Sequence, residues 1–241
     1  MATRHGFFTF EPNLVTLSGL TVTAVTDQSG NGYDLANAGA PQYEQFSWNG
    51  HPAVVFDGTD DTLKQTTGLG GAMISGIDTP CTVVTVVQRL GAANCLWGCG
   101  DTASANPFFR GVLNRDNAEF RKRDAATGAG AGAGGIGGDF RSFAPHVVVW
   151  AHTGTACTIK IDDVLVFSGA MDVGDMGTMD TFALACLSRN TDSAFCACRY
   201  WCCDIYDALT AAEERDLYTL YSDKYILRPS RTCGDHFRRR I

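Results

Sequence analysis

Short apolar runs, some alternating with polar residues, recur along most of the chain and are separated by polar links. Thr21–Thr26 alternates, as expected for a strand with one buried face. Thr82–Val87 (TVVTVV) is β-branched and apolar on both faces, which is typical of a strand at the centre of a packed sheet. Further strands are predicted at residues 53–56, 146–150, 158–161, 164–167, 182–187 and 195–206.

One amphipathic helix is predicted after the last of these strands, over residues 210–225. Thr210 and Glu213 have the spacing of a capping box, in which each side chain accepts a hydrogen bond from the backbone N–H of the other. Leu217, Leu220 and Tyr221 then recur at helical spacing. The pattern as a whole predicts an all-β fold, a two-sheet antiparallel jelly-roll sandwich with one C-terminal helix.

Two of the links have a distinctive composition. Asp162 and Asp163 separate two strand-like runs and predict a two-residue hairpin. Ala125–Gly138 is a glycine/alanine tract that contains a G-x-G-x-x-G spacing. Because no strand-then-helix context surrounds this spacing, it does not indicate a dinucleotide site. We expect the tract to be a flexible surface loop between strands.

Composition and charge exclude several classes of function. The 241 residues suit one large all-β domain or two small ones, and the formal net charge of −7 argues against general nucleic-acid binding. No run approaches the length of a membrane span, so no membrane association is expected. Residues 1–10 lack the apolar stretch of a signal peptide, so we expect a protein that folds in the cytosol and is not secreted.

The C-terminal tail reverses the overall charge, with Asp235 as its only acidic side chain after residue 227. One interpretation is a solvated terminus. The other is an arm that docks on an acidic partner surface, or on nucleic acid, through Arg228, Arg231, Arg238, Arg239 and Arg240.

Ten cysteines are many for a chain of this length. A disulfide framework suits small secreted domains, and a zinc site needs a ligand spacing that is not evident here, since the chain has no C-x-x-C pair. Buried reduced thiols are favoured, while zinc and disulfides stay open. On a regular strand, Cys196, Cys198 and Cys202 would share one face and Cys203 would lie on the other.

Several separated segments together resemble one known superfamily. They are the Asp27–Leu35 loop (DQSGNGYDL), the Phe56–Leu63 run (FDGTDDTL), the Thr82–Val87 strand, and the strand-to-helix exit that begins DIYDALTAAEE and ends at Lys224-Tyr225. In order and spacing they are similar to the laminin-G-like and concanavalin A-like lectin–glucanase superfamily, in its bacterial and phage form. The resemblance implies an N-terminal arm and first strand at residues 1–19, the sandwich at 20–226 and a basic tail at 227–241.

The resemblance also implies a metal site, because several members bind calcium through loop aspartates. Hard carboxylate oxygens from loops suit Ca²⁺. The candidates in this chain are Asp27, Asp60 and Asp61. The alternative interpretation is turn chemistry, in which these side chains hydrogen-bond their own backbone.

The hydrolase branch of the superfamily carries E-x-D-x-x-E on one strand face, and this motif does not occur in the chain. Glycoside hydrolysis needs a positioned pair of carboxylic acids. No G-x-S-x-G or H-E-x-x-H motif occurs either. The sequence therefore predicts that the protein is not an enzyme.

Two classes of function remain. The first is a structural protein of a bacteriophage virion, a head-decoration or tail-associated subunit assembled in the host cytoplasm. It would form homo-oligomers, contact other virion proteins and touch host surface polysaccharide. The alternative is a carbohydrate-binding module or adhesin without that role. Aromatic side chains of a sandwich belong to the core or stack on sugars, and the candidates for stacking are Trp48, Trp97, Phe108 and Phe109.

Overall fold

The computed structural model describes residues 2–74, 76, 79–91, 94–113, 117–124, 130–136, 144–171 and 175–226. Within these ranges the helices are α1 (Leu69–Met73) and α2 (Ala211–Tyr221), and α2 runs on into a π-helical turn at Ser222–Ile226. No helix in the described ranges has the length and apolar character needed to cross a membrane. The strands are β1 (Arg4–Thr9), β2 (Val15–Ser18), β3 (Thr21–Val25), β4 (Leu35–Ala38), β5 (Gln42–Glu44), β6 (Ala53–Asp57), β7 (Thr62–Gln65), β8 (Cys81–Arg89), β9 (Cys95–Gly100), β10 (Phe108–Leu113), β11 (Asn117–Arg123), β12 (Gly130–Ile136), β13 (His146–His152), β14 (Ala156–Ile161), β15 (Val164–Ala170), β16 (Thr181–Leu184) and β17 (Ala197–Tyr206).

The strands form two antiparallel runs of neighbours. One run has the order β1-β17-β8-β13-β14-β15. The other has the order β2-β3-β4-β7-β16-β9-β10-β11-β12. β6 pairs with the first half of β17 and β5 pairs with both β6 and β3, so the hydrogen-bonded ladder is continuous. The predicted all-β fold with antiparallel layers is confirmed.

The main core lies between the two runs. It takes Trp150 and Ile205 from the first run and Trp97 and Phe182 from the second, all without exposed surface. Fully burying an apolar side chain of this size stabilises the fold by about 2–3 kcal/mol, so this layer is the chief source of stability.

The central strand β8 has two apolar faces because each covers a different partner. Val83 and Val87 face the main core, while Val84 and Val86 belong to a second cluster with Tyr221 at the end of α2. Successive side chains of a strand point to opposite faces of the sheet, so neighbouring valines of β8 pack in different clusters. The prediction that this strand is central and buried on both faces is confirmed.

α2 begins where the sequence predicts. The Thr210 hydroxyl accepts a hydrogen bond from the Glu213 N–H at 3.3 Å, and the Glu213 carboxylate accepts one from the Thr210 N–H at 2.9 Å. Lys160 Nζ on β14 lies 2.5 Å from the Glu214 carboxylate and attaches the first turn of the helix to the sheet. These contacts hold the helix over the outer face of the first run.

A buried carboxylate joins the two ends of the chain. Asp204 on β17 accepts hydrogen bonds from Tyr221 Oη at 2.5 Å, Tyr206 Oη at 2.8 Å and Arg4 Nη2 at 2.8 Å. Burial raises the pKa of Asp204, although these donors and the Arg4 charge oppose the shift. The network links β1, β17 and α2.

The hairpin predicted at Asp162 and Asp163 is confirmed. Both residues have positive φ, +50° and +63°, as a two-residue type I′ turn between β14 and β15 requires. The Asp162 carboxylate accepts from the Val147 N–H at 3.0 Å and lies 2.6 Å from His146 Nδ1. The Asp162 carboxylate therefore ties the turn to the start of β13, which a glycine at this position could not do.

The prediction of a loop throughout the glycine/alanine tract is wrong for residues 130–136. This segment is β12, which pairs with β11 from Arg123↔Gly130 to Asn117↔Ile136. Ladder hydrogen bonds are made by backbone groups, so a segment of small residues can pair when a neighbouring strand offers a free edge. Residues 125–129 and 137–138 lie outside the described residues.

The predicted sharing of faces by the cysteines of β17 is also wrong in part. The pairing with β8 shifts between Tyr200 and Cys202, so Trp201 is an extra residue that reverses the alternation. Cys198 and Cys203 consequently face the main core, while Cys202 lies in the cluster beneath α2.

The nine cysteines in the described ranges are free and buried; Cys233 lies outside them. Burial raises the pKa of the Cys157 thiol to about 11 and that of Cys186 to about 12. A buried neutral thiol packs as a small apolar side chain.

Candidate functional site

The loop after β3 is organised by Asp27. Its carboxylate accepts hydrogen bonds from the N–H groups of Phe7 (3.1 Å), Ser29 (2.9 Å) and Tyr33 (3.0 Å) and from the Ser29 hydroxyl (2.7 Å). Burial alone would raise the pKa of Asp27, but these hydrogen bonds outweigh it and lower the pKa. Because a carboxylate offers about four acceptor positions, Asp27 is saturated and does not fit a metal site.

The turn between β6 and β7 brings three other carboxylates together. Oxygens of Asp57, Asp60 and Asp61 all lie within 4.8 Å of one another. Asp61 accepts from the N–H groups of Ala40 (2.6 Å) and Asp57 (3.2 Å), and burial is the main reason that its pKa is raised. The oxygen donors suit Ca²⁺ chemically, while the hydrogen bonds of Asp61 are those of a turn anchor. The structure brings the predicted Asp60 and Asp61 together with Asp57, which the sequence prediction did not include, and places Asp27 in the loop after β3. Calcium binding by these residues stays a prediction.

Two of the aromatic residues predicted to stack on sugars belong to the core. Trp97 and Phe109 have no exposed surface, and their ring centroids lie 5.6 Å apart in an edge-on contact. A ring without an exposed face has no surface to offer a sugar, so these two positions are corrected to core residues. Trp48 is half-buried and packs against the cluster beneath α2.

Sequence reasoning missed the most exposed aromatic ring of the described residues. Phe46 is 79% exposed and lies between β5 and β6, two residues before Trp48. Its polar neighbours Gln45 and Ser47 were the available signal, because an isolated aromatic in a polar link has no strand face to bury.

Phe108 lies at the centre of a group of positive charges. Phe108 is 8% exposed, and the guanidinium carbons of Arg110, Arg123 and Arg189 each lie 5.4 Å from the centroid of its ring. We call these four residues the arginine cluster. Cations over an aromatic face are attracted by the ring quadrupole, so Phe108 stabilises the charges rather than offering a stacking face.

Strand geometry explains how residues so far apart in sequence meet. Phe108 and Arg110 are two positions apart on β10 and share a face, and Phe108 is paired directly with Arg123 on β11. Arg189 follows β16 and passes close to β9, where a Cβ on Gly100 would lie only 2.7 Å from its Cγ. A glycine at that position is what allows the approach.

Part of the hydrogen-bonding capacity of the cluster fixes a neighbouring loop. Arg189 donates to the Ala105 carbonyl at 2.5 Å, and Arg123 donates to the Asn106 side-chain oxygen at 3.2 Å. The Nε atoms of all three arginines are buried and have no hydrogen-bond partner among the described residues. Burial, together with the neighbouring charges of Arg123 and Arg110, lowers the pKa of Arg189. The cluster can bind an anion.

An open pocket of about 390 Å³ lies between β1 and α2. It is lined by the apolar side chains of Leu209 and Leu217 and by the acidic side chains of Glu213 and Asp216. Arg4 also lines it but is paired with Asp204. The charged groups at this surface are therefore acidic or already neutralised.

The other predicted sites stay predictions. The five arginines of the tail lie outside the described residues. Calcium binding, homo-oligomers and partners in a virion are not tested by the contacts above.

No protein-family model matches the sequence, and no curated protein sequence matches it. Among solved structures, the chain is similar to the binding domain of Paraclostridial Mosquitocidal Protein 1, with a TM-score of 0.66 and 12% identity over 91% of this chain and 52% of that one. It is similar to the ligand-binding domain of botulinum neurotoxin serotype D in complex with N-acetylneuraminic acid, with a TM-score of 0.64 and 10% identity over 90% and 50% of the two chains.

A third similar structure matches along nearly its whole length. It is domain 4 of AbnA, an extracellular GH43 arabinanase from Geobacillus stearothermophilus, in complex with arabinotriose; the TM-score is 0.60, with 18% identity over 90% of this chain and 98% of that one. This chain spans about half the length of the toxin domains. At these identities the likenesses show the β-sandwich fold alone. The predicted role and location in a bacteriophage virion stay predictions.

Proposed function

We propose that this chain is a carbohydrate-binding domain without catalytic activity. One observation carries the proposal: the arabinanase domain solved with arabinotriose shares the fold along nearly the whole length of both chains. The toxin domains, one of them solved with N-acetylneuraminic acid, add support from a second group of binding proteins. Of the two function classes that the sequence leaves open, the carbohydrate-binding module is favoured by these likenesses.

The contacts of the glutamates support the absence of a catalytic pair built on glutamate. Glycosidases keep a carboxylic acid available beside the bond that they cleave. Each glutamate of this chain instead has a structural contact with another residue. The pairs are Glu11 with Lys224, Glu44 with Arg199, Glu119 with Arg121, Glu213 with Thr210 and Glu214 with Lys160.

Two surfaces of the described residues suit a sugar ligand in different ways. Phe46 offers an open ring for stacking, and the arginine cluster offers preorganised hydrogen-bond donors. Specific sugar sites combine an apolar surface with a few fixed polar groups. The two surfaces therefore make separate, testable contributions.

The test is a glycan array probed with the full chain, followed by calorimetric titration and thermal unfolding with the sugars that bind. We expect saturable binding to at least one class of glycan and a melting temperature that rises with its concentration, because a ligand that binds only the folded state stabilises it. Incubation with the same glycan should leave it uncleaved. An array without any bound sugar overturns the proposal, and so does release of cleaved sugar.

A further inference from the structure

We propose that the arginine cluster binds the anionic group of an acidic glycan, either a carboxylate or a sulfate ester. This inference rests on the proposed carbohydrate-binding function and adds the class of ligand and the residues that recognise it. It is carried by the convergence of Arg110, Arg123 and Arg189 on Phe108.

The cluster concentrates positive charge that the described residues do not neutralise. Three guanidinium groups lie at the same distance from one ring, and like charges held together repel one another. The ion pairs of the described residues include none between these arginines and a carboxylate. A bound anion would relieve the repulsion.

Three acidic side chains near the cluster, Asp101, Asp180 and Asp192, are bound by other residues. The Asp180 carboxylate accepts from the N–H and hydroxyl of Thr102, and the Asp101 carboxylate accepts from the Ala103 N–H. Asp192 accepts from Lys64 Nζ at 2.6 Å. These three carboxylates are thus bound to Thr102, Ala103 and Lys64, and none of them is paired with an arginine of the cluster.

The donors are fixed in position before any ligand arrives. The ladder between β10 and β11 holds Arg110 and Arg123, while the contacts with Ala105 and Ser193 hold Arg189. The three buried Nε–H groups have no acceptor within the described residues. A planar guanidinium presents parallel donors that match the oxygens of a carboxylate or a sulfate.

The charge of the whole chain favours a local anion over a long polyanion. The formal net charge is −7, so nucleic acid would be repelled by most of the surface. A single acidic group on a sugar places its charge at the cluster while uncharged rings contact the rest. An acidic glycan therefore fits this chain better than a nucleic-acid backbone.

The test compares charged and neutral forms of the same sugar by calorimetric titration of the full chain. The pairs are trigalacturonate with its methyl ester, and 3-sulfated lactose with lactose. We expect each acidic form that binds to bind about tenfold or more tightly than its neutral partner, because charge-assisted hydrogen bonds are lost with the charge. The pair in which the acidic form binds more tightly than the neutral form shows whether the cluster recognises a carboxylate or a sulfate ester.

Variants then locate the site. R110Q and R189Q should each weaken binding of the acidic sugar about tenfold, whereas R215Q on the exposed face of α2, which removes the same charge far from the cluster, should stay within about twofold. R189K should give an intermediate affinity because it keeps the charge and loses the planar fork. Unfolding in urea checks that each variant is folded, and the comparison of acidic with neutral sugars needs no variant.

The outcomes separate this inference from the proposed function. Equal binding of charged and neutral sugars overturns the inference and leaves carbohydrate binding in place. If F46A loses binding while R110Q and R189Q bind the acidic sugar as tightly as the wild type, the inference is also overturned and carbohydrate binding stays in place. The site would then lie on the Phe46 surface. Failure of every sugar on the array and in both pairs overturns the proposed function and the inference together.

Discussion

Asp27 and Asp204 are both buried carboxylates, yet their pKa values shift in opposite directions. Asp27 accepts three backbone N–H bonds and one hydroxyl bond, and these lower its pKa despite burial. Asp204 lies deeper, and burial raises its pKa although two tyrosines and Arg4 donate to it. The number of donors is similar, so the deeper desolvation of Asp204 decides the sign.

The opposite shifts predict opposite pH dependences of stability. D27N should destabilise the protein by about 2 kcal/mol near neutral pH, because an amide oxygen cannot accept all four hydrogen bonds. The folded-state pKa of Asp27 is lowered, so the advantage of the wild type over D27N is present above the unfolded-state pKa and is lost as pH falls through the folded-state value. Urea unfolding over a series of pH values measures this difference.

D204N is the matched control for that measurement. Because the folded-state pKa of Asp204 is raised, its ionisation makes the wild type lose stability relative to D204N as pH rises from the unfolded-state pKa to the folded-state one. The two differences should therefore change with pH in opposite senses. Parallel changes would contradict the assignment of hydrogen bonding to Asp27 and of desolvation to Asp204.

At the scale of elements, α2 depends on its first turn as well as on its packing. The capping box satisfies the backbone donors, and the ion pair of Lys160 with Glu214 attaches the same turn to β14. Fully buried apolar contacts lie at the other end, where Tyr221 and Tyr225 pack in one cluster with Val84 and Val86. An isolated helix of this length is marginal in water, so both ends contribute.

T210A should destabilise the protein by about 1 kcal/mol, since the cap oxygen that accepts from Glu213 is removed. T219A makes the same chemical change on the exposed face of the same helix, where we expect an effect within about 0.5 kcal/mol. Urea unfolding of both variants at one pH measures the difference. Equal effects of the two substitutions would show that the capping box adds nothing to stability.

Elements specified by local chemistry could be predicted from the sequence, whereas others could not. The capping box predicted the start of α2, and a two-residue polar link between apolar runs predicted the turn at Asp162 and Asp163. The strand at residues 130–136 has no side-chain pattern and forms through its pairing with β11. The bulge at Trp201 depends on the partner strand β8, so the period of β17 alone placed Cys202 on the wrong face.

At the scale of the whole molecule, the candidate site was only partly visible in the sequence. Phe108 was predicted to stack on a sugar. The strand register places Arg123 opposite it, so the ring contacts a guanidinium group instead. Arg110, Arg123 and Arg189 are separated by up to 79 positions and share no motif, so only the fold brings them together. Likewise, the distant donors of Asp27 and Asp61 could not be seen in the sequence, since Asp27 accepts from the Phe7 N–H and Asp61 accepts from the Ala40 N–H.

The buried residues predict that the sandwich and its helix unfold together. Trp97 and Trp150 lie in the main core, Trp201 lies beneath α2, and β17 supplies side chains to both layers. Because β17 has one face in each layer, disruption of either layer would also expose β17 side chains that pack in the other. We therefore expect one cooperative transition in urea. Tryptophan fluorescence, circular dichroism and alkylation of the nine buried thiols should report the same midpoint, with all nine protected below it. Separate midpoints for helical signal and tryptophan emission would show instead that α2 detaches before the sandwich opens.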